Sequence, residues 1–274
     1  MVDTHAHIYH EDESIYPMID KPFRPDPGIG TLEHLQQNRA DSGVDKVVLV
    51  QTGSAYRWDN RLLADTAKGN ADWTVGVCTL DPTDPDSVEE LARLRSEFNV
   101  RGVRIEPTKE DDPRYDHPGH SALWEAARSL DVVVCSHVQS RFLPELAVLL
   151  ERYPEVPVVL DHAAYPKASD GVDSDTVRSV IELARFRQLH IKMSFAVTGS
   201  DEEYPFGDTH AIVRAILDAY GADRCMWGSD FPCEHWLKKA SYSQHLDVFR
   251  NEIGLSDGEQ DAVLNTTASR IWFS

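Results

Sequence analysis

Short runs of consecutive apolar residues, many of them β-branched, recur along the chain. Each is followed by a stretch whose apolar positions return at helical spacing. Eight such alternations are read, with strands expected to begin near Val2, Lys46, Trp73, Arg101, Asp131, Val156, His190 and Arg224. Runs such as 47–50 and 132–134 are apolar at successive positions, as a strand buried on both faces requires. Helices are expected over 31–42, 60–68, 86–98, 121–130, 142–153, 176–188, 209–220 and 257–272. Pro82 and Pro85 sit just ahead of the third helix, and Gly43 and Gly221 stand where helices end on a left-handed residue. Eight βα units predict an α/β protein of the (β/α)8 TIM-barrel class, with residues 1–274 as a single domain. An open doubly wound sheet has the same element order, but it would carry a Gly-rich turn after its first strand. Here Asp3-Thr4-His5-Ala6-His7 occupies that place, and neither GxGxxG nor GxxxxGKS occurs elsewhere. Two long irregular stretches, 9–30 and 106–119, both follow strands, so in a barrel they would overhang its C-terminal face.

Charge changes the picture by exclusion. Lys plus Arg number 27 against 46 Asp plus Glu, a formal charge of -19, and such a field repels phosphate backbones and anionic lipid. No nucleic-acid or membrane partner is expected, and the partner class left is a small molecule. The acidic excess is scattered, which fits a salt-adapted surface and an ordinary acidic enzyme equally. Cys78, Cys135, Cys225 and Cys233 form no CxxC pair, and the first three lie in apolar strand-like runs, so a reducing, cytoplasmic compartment is expected. A strand beginning at Val2 leaves no room for a signal peptide, and no apolar run approaches the roughly 20 residues of a membrane span.

The chemistry is read at the strand ends. His5 and His7 are two residues apart on one strand, so both imidazoles project to the same side. Alone, such a pair is more often packed structure than a site. His137 closes Val-Val-Val-Cys-Ser-His, His162 closes Val-Val-Leu-Asp-His, and Asp230 closes Met-Trp-Gly-Ser-Asp. Five ionisable groups at the ends of strands one, five, six and eight fall on the face where barrels place active sites, and burying them without a task would cost free energy.

With Gly102-Val103-Arg104 on strand four, Pro166 after strand six, Ile191-Lys192-Met193-Ser194 on strand seven and Phe231-Pro232 after Asp230, these motifs span nearly the whole chain. The pattern resembles the amidohydrolase superfamily, in its amidohydrolase-related (amidohydrolase 2) branch of lactonases and decarboxylases. It is most similar there to the group of 2-pyrone-4,6-dicarboxylate lactonase and the sugar-lactone lactonases, through Asp59-Asn60-Arg61 and Arg104. Ala163-Ala164-Tyr165 and Phe195 stand where that group often has glycine, so the pocket shape departs from it. The two-metal members bridge their ions with a lysine on strand four, and 101–106 contains none, so a binuclear centre is not expected. One divalent ion, zinc or manganese, held by His5, His7, Asp230 and His137, and metal-independent operation both stay open.

The resemblance implies hydrolysis of a lactone of a sugar acid or carboxylated pyrone. His5, His7 and His162 would polarise the carbonyl while Asp230 takes a proton from water, giving a catalytic set of Asp230, His162, His137 and Arg104. Arg104 shares a face with Glu106; it either clamps a substrate carboxylate or pairs with a barrel acid. Lys192 is expected to pair with Asp161 or a neighbour. Of the other histidines, His10 and His235 are placed near substrate, while His34, His117, His120 and His210 are expected to be mostly solvated. Tyr56, Trp58, Tyr165 and Trp236 could wall a planar ring. The rival readings are a metal-dependent nonoxidative decarboxylase using the same residues, and a noncatalytic barrel that binds a small acid.

Overall fold

A computed structural model describes residues 1–236 and 240–274. Eight parallel strands follow one another in chain order: β1 (Val2–Ala6), β2 (Lys46–Val50), β3 (Thr74–Thr79), β4 (Val100–Ile105), β5 (Val133–Ser136), β6 (Val158–Leu160), β7 (Leu189–Lys192) and β8 (Cys225–Met226). Each starts within about two residues of the position expected from its apolar run. The helices between them pack Val47, Leu49, Val103, Val134 and Ile191 on the outside of the ring. Alternate positions Val48, Val50, Val75, Val77, Val133 and Val159 fill its lower interior together with Trp272 of the C-terminal helix. Each fully buried valine contributes about 1.5–3 kcal/mol. Higher in the barrel the interior positions become Arg104 and Lys192, both buried, so the apolar plug gives way to charge at the C-terminal mouth.

The ring closes between β8 and β1 without a full ladder. Ala6 bridges Phe231, Thr4 N donates to Trp227 O at 3.2 Å, and His7 N donates to Phe231 O at 2.8 Å. Gly228 makes this approach possible. A Cβ there would lie 2.8 Å from His5 Cβ and 3.1 Å from His5 N. We therefore expect Gly228→Ala to destabilise the fold by about 1–3 kcal/mol through overpacking, read as a lower urea midpoint; an unchanged midpoint would contradict the closure described.

The last helix departs from expectation. The single helix expected over 257–272 is an α-helix at Asp257–Asp261, a π segment at Ala262–Thr266, and a final α-helix at Thr267–Trp272. A short helix at Phe195–Thr198, after β7, went unread because four residues give too little periodicity. No described helix is long and apolar enough to cross a membrane.

Candidate active site

Asp3 on β1 builds the corner that carries the site. Its Oδ1 accepts from Ser229 N at 2.9 Å and His5 N at 3.0 Å, and its Oδ2 accepts from Ser229 Oγ at 2.6 Å and Tyr242 Oη at 3.0 Å. Burial raises its pKa, and those four donors act against the rise. The residue after Ser229, Asp230, takes a left-handed backbone (φ 56°) that turns its carboxylate toward β1. There Asp230 Oδ1 lies 3.6 Å from both His5 Nε2 and His7 Nε2, which are themselves 3.1 Å apart. His7 Nδ1 lies 2.9 Å from the Val50 carbonyl, which can only accept, so the His7 proton sits on Nδ1 and its Nε2 lone pair faces the mouth.

A layer of charge supports these groups from below. Asp161, fully buried, lies between Arg104 and Lys192: Arg104 Nε donates to Oδ2 at 2.8 Å, and Lys192 Nζ stands 2.8 Å from Oδ1. The Lys192 contact is an ion pair whose angles do not make a hydrogen bond. Burial opposes ionisation of Asp161, but the two cations outweigh it and hold its pKa below the usual carboxylate range. Lys192 Nζ also lies 3.0 Å from His5 Nδ1. An ammonium can only donate, so the His5 proton is placed on Nε2, toward His7.

From His162 to Tyr165 four successive non-glycine residues have positive φ, between 48° and 64°. Left-handed backbone costs roughly 1–2 kcal/mol per residue, and strain of this kind persists only where neighbours fix it. Here His162 Nδ1 meets Ser194 Oγ at 2.7 Å, and its ring stacks on Tyr165 with centroids 4.8 Å apart. The Tyr165 hydroxyl is hydrogen-bonded to His137 Nε2, and His137 Nδ1 lies 2.7 Å from Glu106 Oε1. Glu106 Oε2 in turn pairs with Lys109 at 2.7 Å. Burial depresses the pKa of His162 to about 3, against the opposing pull of Asp230 and Asp161, so its ring is neutral at pH 7. Burial and the Arg104 charge likewise lower that of His137. For Asp230, burial favours the neutral acid, yet His162 and the adjoining His7 outweigh it and hold the carboxyl ionised.

A cavity of about 530 Å³ opens above these groups, large enough for a monocyclic substrate. His7, His162, Asp230, His137 and Arg104 line it, and Trp58, Tyr165 and Trp236 form aromatic wall, as anticipated. Ile19 and Lys109 reach it from the two long loops. Several expectations are displaced. His5 is fully buried and lies outside the cavity lining. His10, His235 and Tyr56 do not line this cavity; His235 packs its ring against Phe23 and Trp236. Asp59 and Arg61 are spent on each other at 2.6 Å, and Asn60 bonds Thr79. The segment therefore braces β3. His120, expected in solvent, is buried with Nε2 on the Glu106 carbonyl at 2.9 Å.

The comparisons with known proteins agree with this geometry. A family model described as amidohydrolase matches residues 2–273. The chain belongs to the amidohydrolase family. Among characterised members it is 30% identical over 236 residues to L-fucono-1,5-lactonase of Burkholderia ambifaria, covering 84% of this chain and 80% of that protein. It is 28% identical over 247 residues to the 2-pyrone-4,6-dicarboxylate hydrolase of Comamonas testosteroni, covering 84% and 76%. The fold matches the crystal structure of a putative 2-pyrone-4,6-dicarboxylic acid hydrolase from Pseudomonas putida with a TM-score of 0.82 at 24% identity, covering 99% of this chain and 96% of that one. An amidohydrolase from Burkholderia multivorans gives 0.81 at 24% identity, covering 99% and 98%.

In this amidohydrolase a divalent ion would find three donors. The ligand atoms of His5, His7 and Asp230 all lie within 4.8 Å of one another and are buried. Two imidazole nitrogens and a carboxylate with one side open suit zinc or manganese, so the residues fit such an ion. His137 is outside that group, and its two nitrogens are taken by Glu106 and Tyr165. His5 Nε2 donates to His7 Nε2 at 3.1 Å. Sequence reading missed Asp3, Glu106 and Ser194 as members of the amidohydrolase site. It also missed His245, buried under Trp227 with its pKa lowered by burial to about 4. Asp3 and Ser194 lay inside motifs singled out for other residues, and Glu106 was noted only as a neighbour of Arg104.

Proposed function

We propose that this enzyme opens the ring of a lactone by attack of water, on a substrate that carries a carboxylate. The observation that carries the reading is an ionised Asp230 set beside a neutral His162, with His7 adjoining, at the floor of a cavity of substrate size. The relatives named as lactonases support it. The ring carbonyl sits against His162, whose N–H withdraws electrons from its oxygen, with His7 beside it. Asp230 takes one proton from water as the water oxygen bonds the carbonyl carbon. On collapse the carbon to ring-oxygen bond breaks, and Asp230 returns that proton to the departing oxygen, giving a hydroxy acid. His137, gripped by Glu106, positions Tyr165 against His162. Arg104 adds positive charge to the wall, which favours an anionic ligand.

His5, His7 and Asp230 would hold the ion if one is bound, and it would supply Lewis-acid polarisation there. After zinc loading and dialysis we expect at most one tightly held equivalent per chain, since Arg104, rather than a bridging lysine, occupies the β4 position; two equivalents by elemental analysis would contradict the site as drawn. The direct test of the reading is hydrolysis across a panel of sugar and pyrone lactones, with and without chelator. Ring opening of a panel member supports it. Carbon dioxide release from an aromatic acid, with every lactone left intact, overturns it.

A further inference from the structure

Residues Tyr56 to Asp59 form a tight turn closed by Asp59 N donating to Tyr56 O at 2.9 Å. Its first central residue is Arg57, at φ 50° and ψ -108°. That is the first central position of a type II′ turn, which glycine dominates because a Cβ is strained there. The turn has no slack in which to relax: Arg57 N donates to Gly53 O at 3.1 Å, and Arg57 O accepts from Gln51 Nε2 at 3.2 Å. A bulky cation therefore stands in a glycine's place on the wall of the substrate cavity.

Its charge is also uncommitted. Of the other cavity cations, Arg104 pairs with Asp161 and Lys109 with Glu106. Among the described residues no carboxylate lies within 4.0 Å of the Arg57 guanidinium, in a chain with 46 acidic residues against 27 basic ones. The guanidinium carbon lies 5.5 Å from the ring centroid of Trp58, which also lines the cavity. A planar fork resting beside an aromatic face is pre-organised for two parallel hydrogen bonds to a carboxylate. Strain retained at a cavity wall with no internal partner is the pattern of a ligand contact.

Resting on the lactonase reading above, we propose that Arg57 selects the substrate: it binds a carboxylate remote from the ester and so favours carboxylated lactones over neutral sugar lactones. It holds the anionic end at the mouth, away from the Asp230 carboxylate on the floor, and thereby turns the ring carbonyl inward.

The test compares wild type, Arg57→Gly and Arg57→Lys on 2-pyrone-4,6-dicarboxylate and L-fucono-1,5-lactone. Glycine suits the turn, so Arg57→Gly is expected to fold with a Tm at or above wild type. Its ratio of kcat/KM for the dicarboxylate over the neutral lactone falls roughly 10- to 100-fold, the loss expected for charged hydrogen bonds. The change appears mainly in KM, and Arg57→Lys recovers part of it. A ratio within twofold of wild type in folded Arg57→Gly overturns the proposal. If wild type opens neither lactone, the lactonase reading is judged separately on the wider panel, and calorimetry with isophthalate, an inert planar dicarboxylate, decides the role of Arg57. Binding at least tenfold weaker in Arg57→Gly supports it, and unchanged binding overturns it.

Discussion

Asp230→Asn should lower kcat by about 10²–10⁴-fold with KM within a few-fold of wild type. Asparagine keeps the shape and can still face His5 and His7 across the 3.6 Å gaps, but it cannot take a proton from water. The loss therefore appears in the chemical step rather than in binding. The two pKa directions add a pH expectation. Asp230 is held ionised by His162 and His7 against its burial, and His162 is kept neutral by burial down to about pH 3. Both roles are lost as pH falls, and both transitions lie below the range of free carboxylates and free imidazoles. These two groups therefore introduce no loss of kcat between pH 8 and pH 5. Steady-state kinetics over that range checks this, and near-normal turnover by Asp230→Asn would remove the carboxylate from the mechanism.

Asp161→Ala is expected to be the most destabilising single change at the site, by about 3–5 kcal/mol in urea unfolding. It would leave Lys192 buried with only His5 for a partner, and would strip Arg104 of its 2.8 Å contact, with Glu106 no closer than 4.0 Å. The desolvation cost of two cations then stands uncompensated, whereas the intact trio offsets it by mutual attraction. Replacing Asp161 and Lys192 together by apolar residues should cost less than Asp161→Ala alone, because one orphaned charge goes with its partner. A loss under 1 kcal/mol for Asp161→Ala would show that water reaches this layer and screens it.

The barrel was legible because its strands are buried on both faces. Valine runs such as 47–50 are readable only when neither face needs polar residues, and parallel strands in a ring meet that condition. The five strand-end groups were legible for the complementary reason, since an ionisable residue closing an apolar run has few purely structural explanations. His162 and Asp230 stand out in this way. Their supports do not. Asp3, Glu106 and Asp161 are single acids one or two residues from the conspicuous ones, and no local pattern distinguishes a buried carboxylate from a solvated one. Their partners, Tyr242, His137 and Arg104, are 239, 31 and 57 residues away in the chain. The same limit explains why His137 was grouped with the metal ligands His5, His7 and Asp230. A histidine at a strand end looks like a ligand until Glu106 and Tyr165 are seen to hold both of its nitrogens. Arg57 was invisible because its significance lies in its φ and ψ, which sequence does not display.

Water, activated by Asp230, is expected to attack the carbonyl carbon of a lactone held over His7 and His162. Ring opening in oxygen-18 water, followed by mass spectrometry of the product, tests it most directly. One labelled oxygen is expected, located in the new carboxylate, with the hydroxyl oxygen unlabelled and the incorporation rate collapsed in Asp230→Asn. Label in the hydroxyl group, or equal rates in the two proteins, would contradict it.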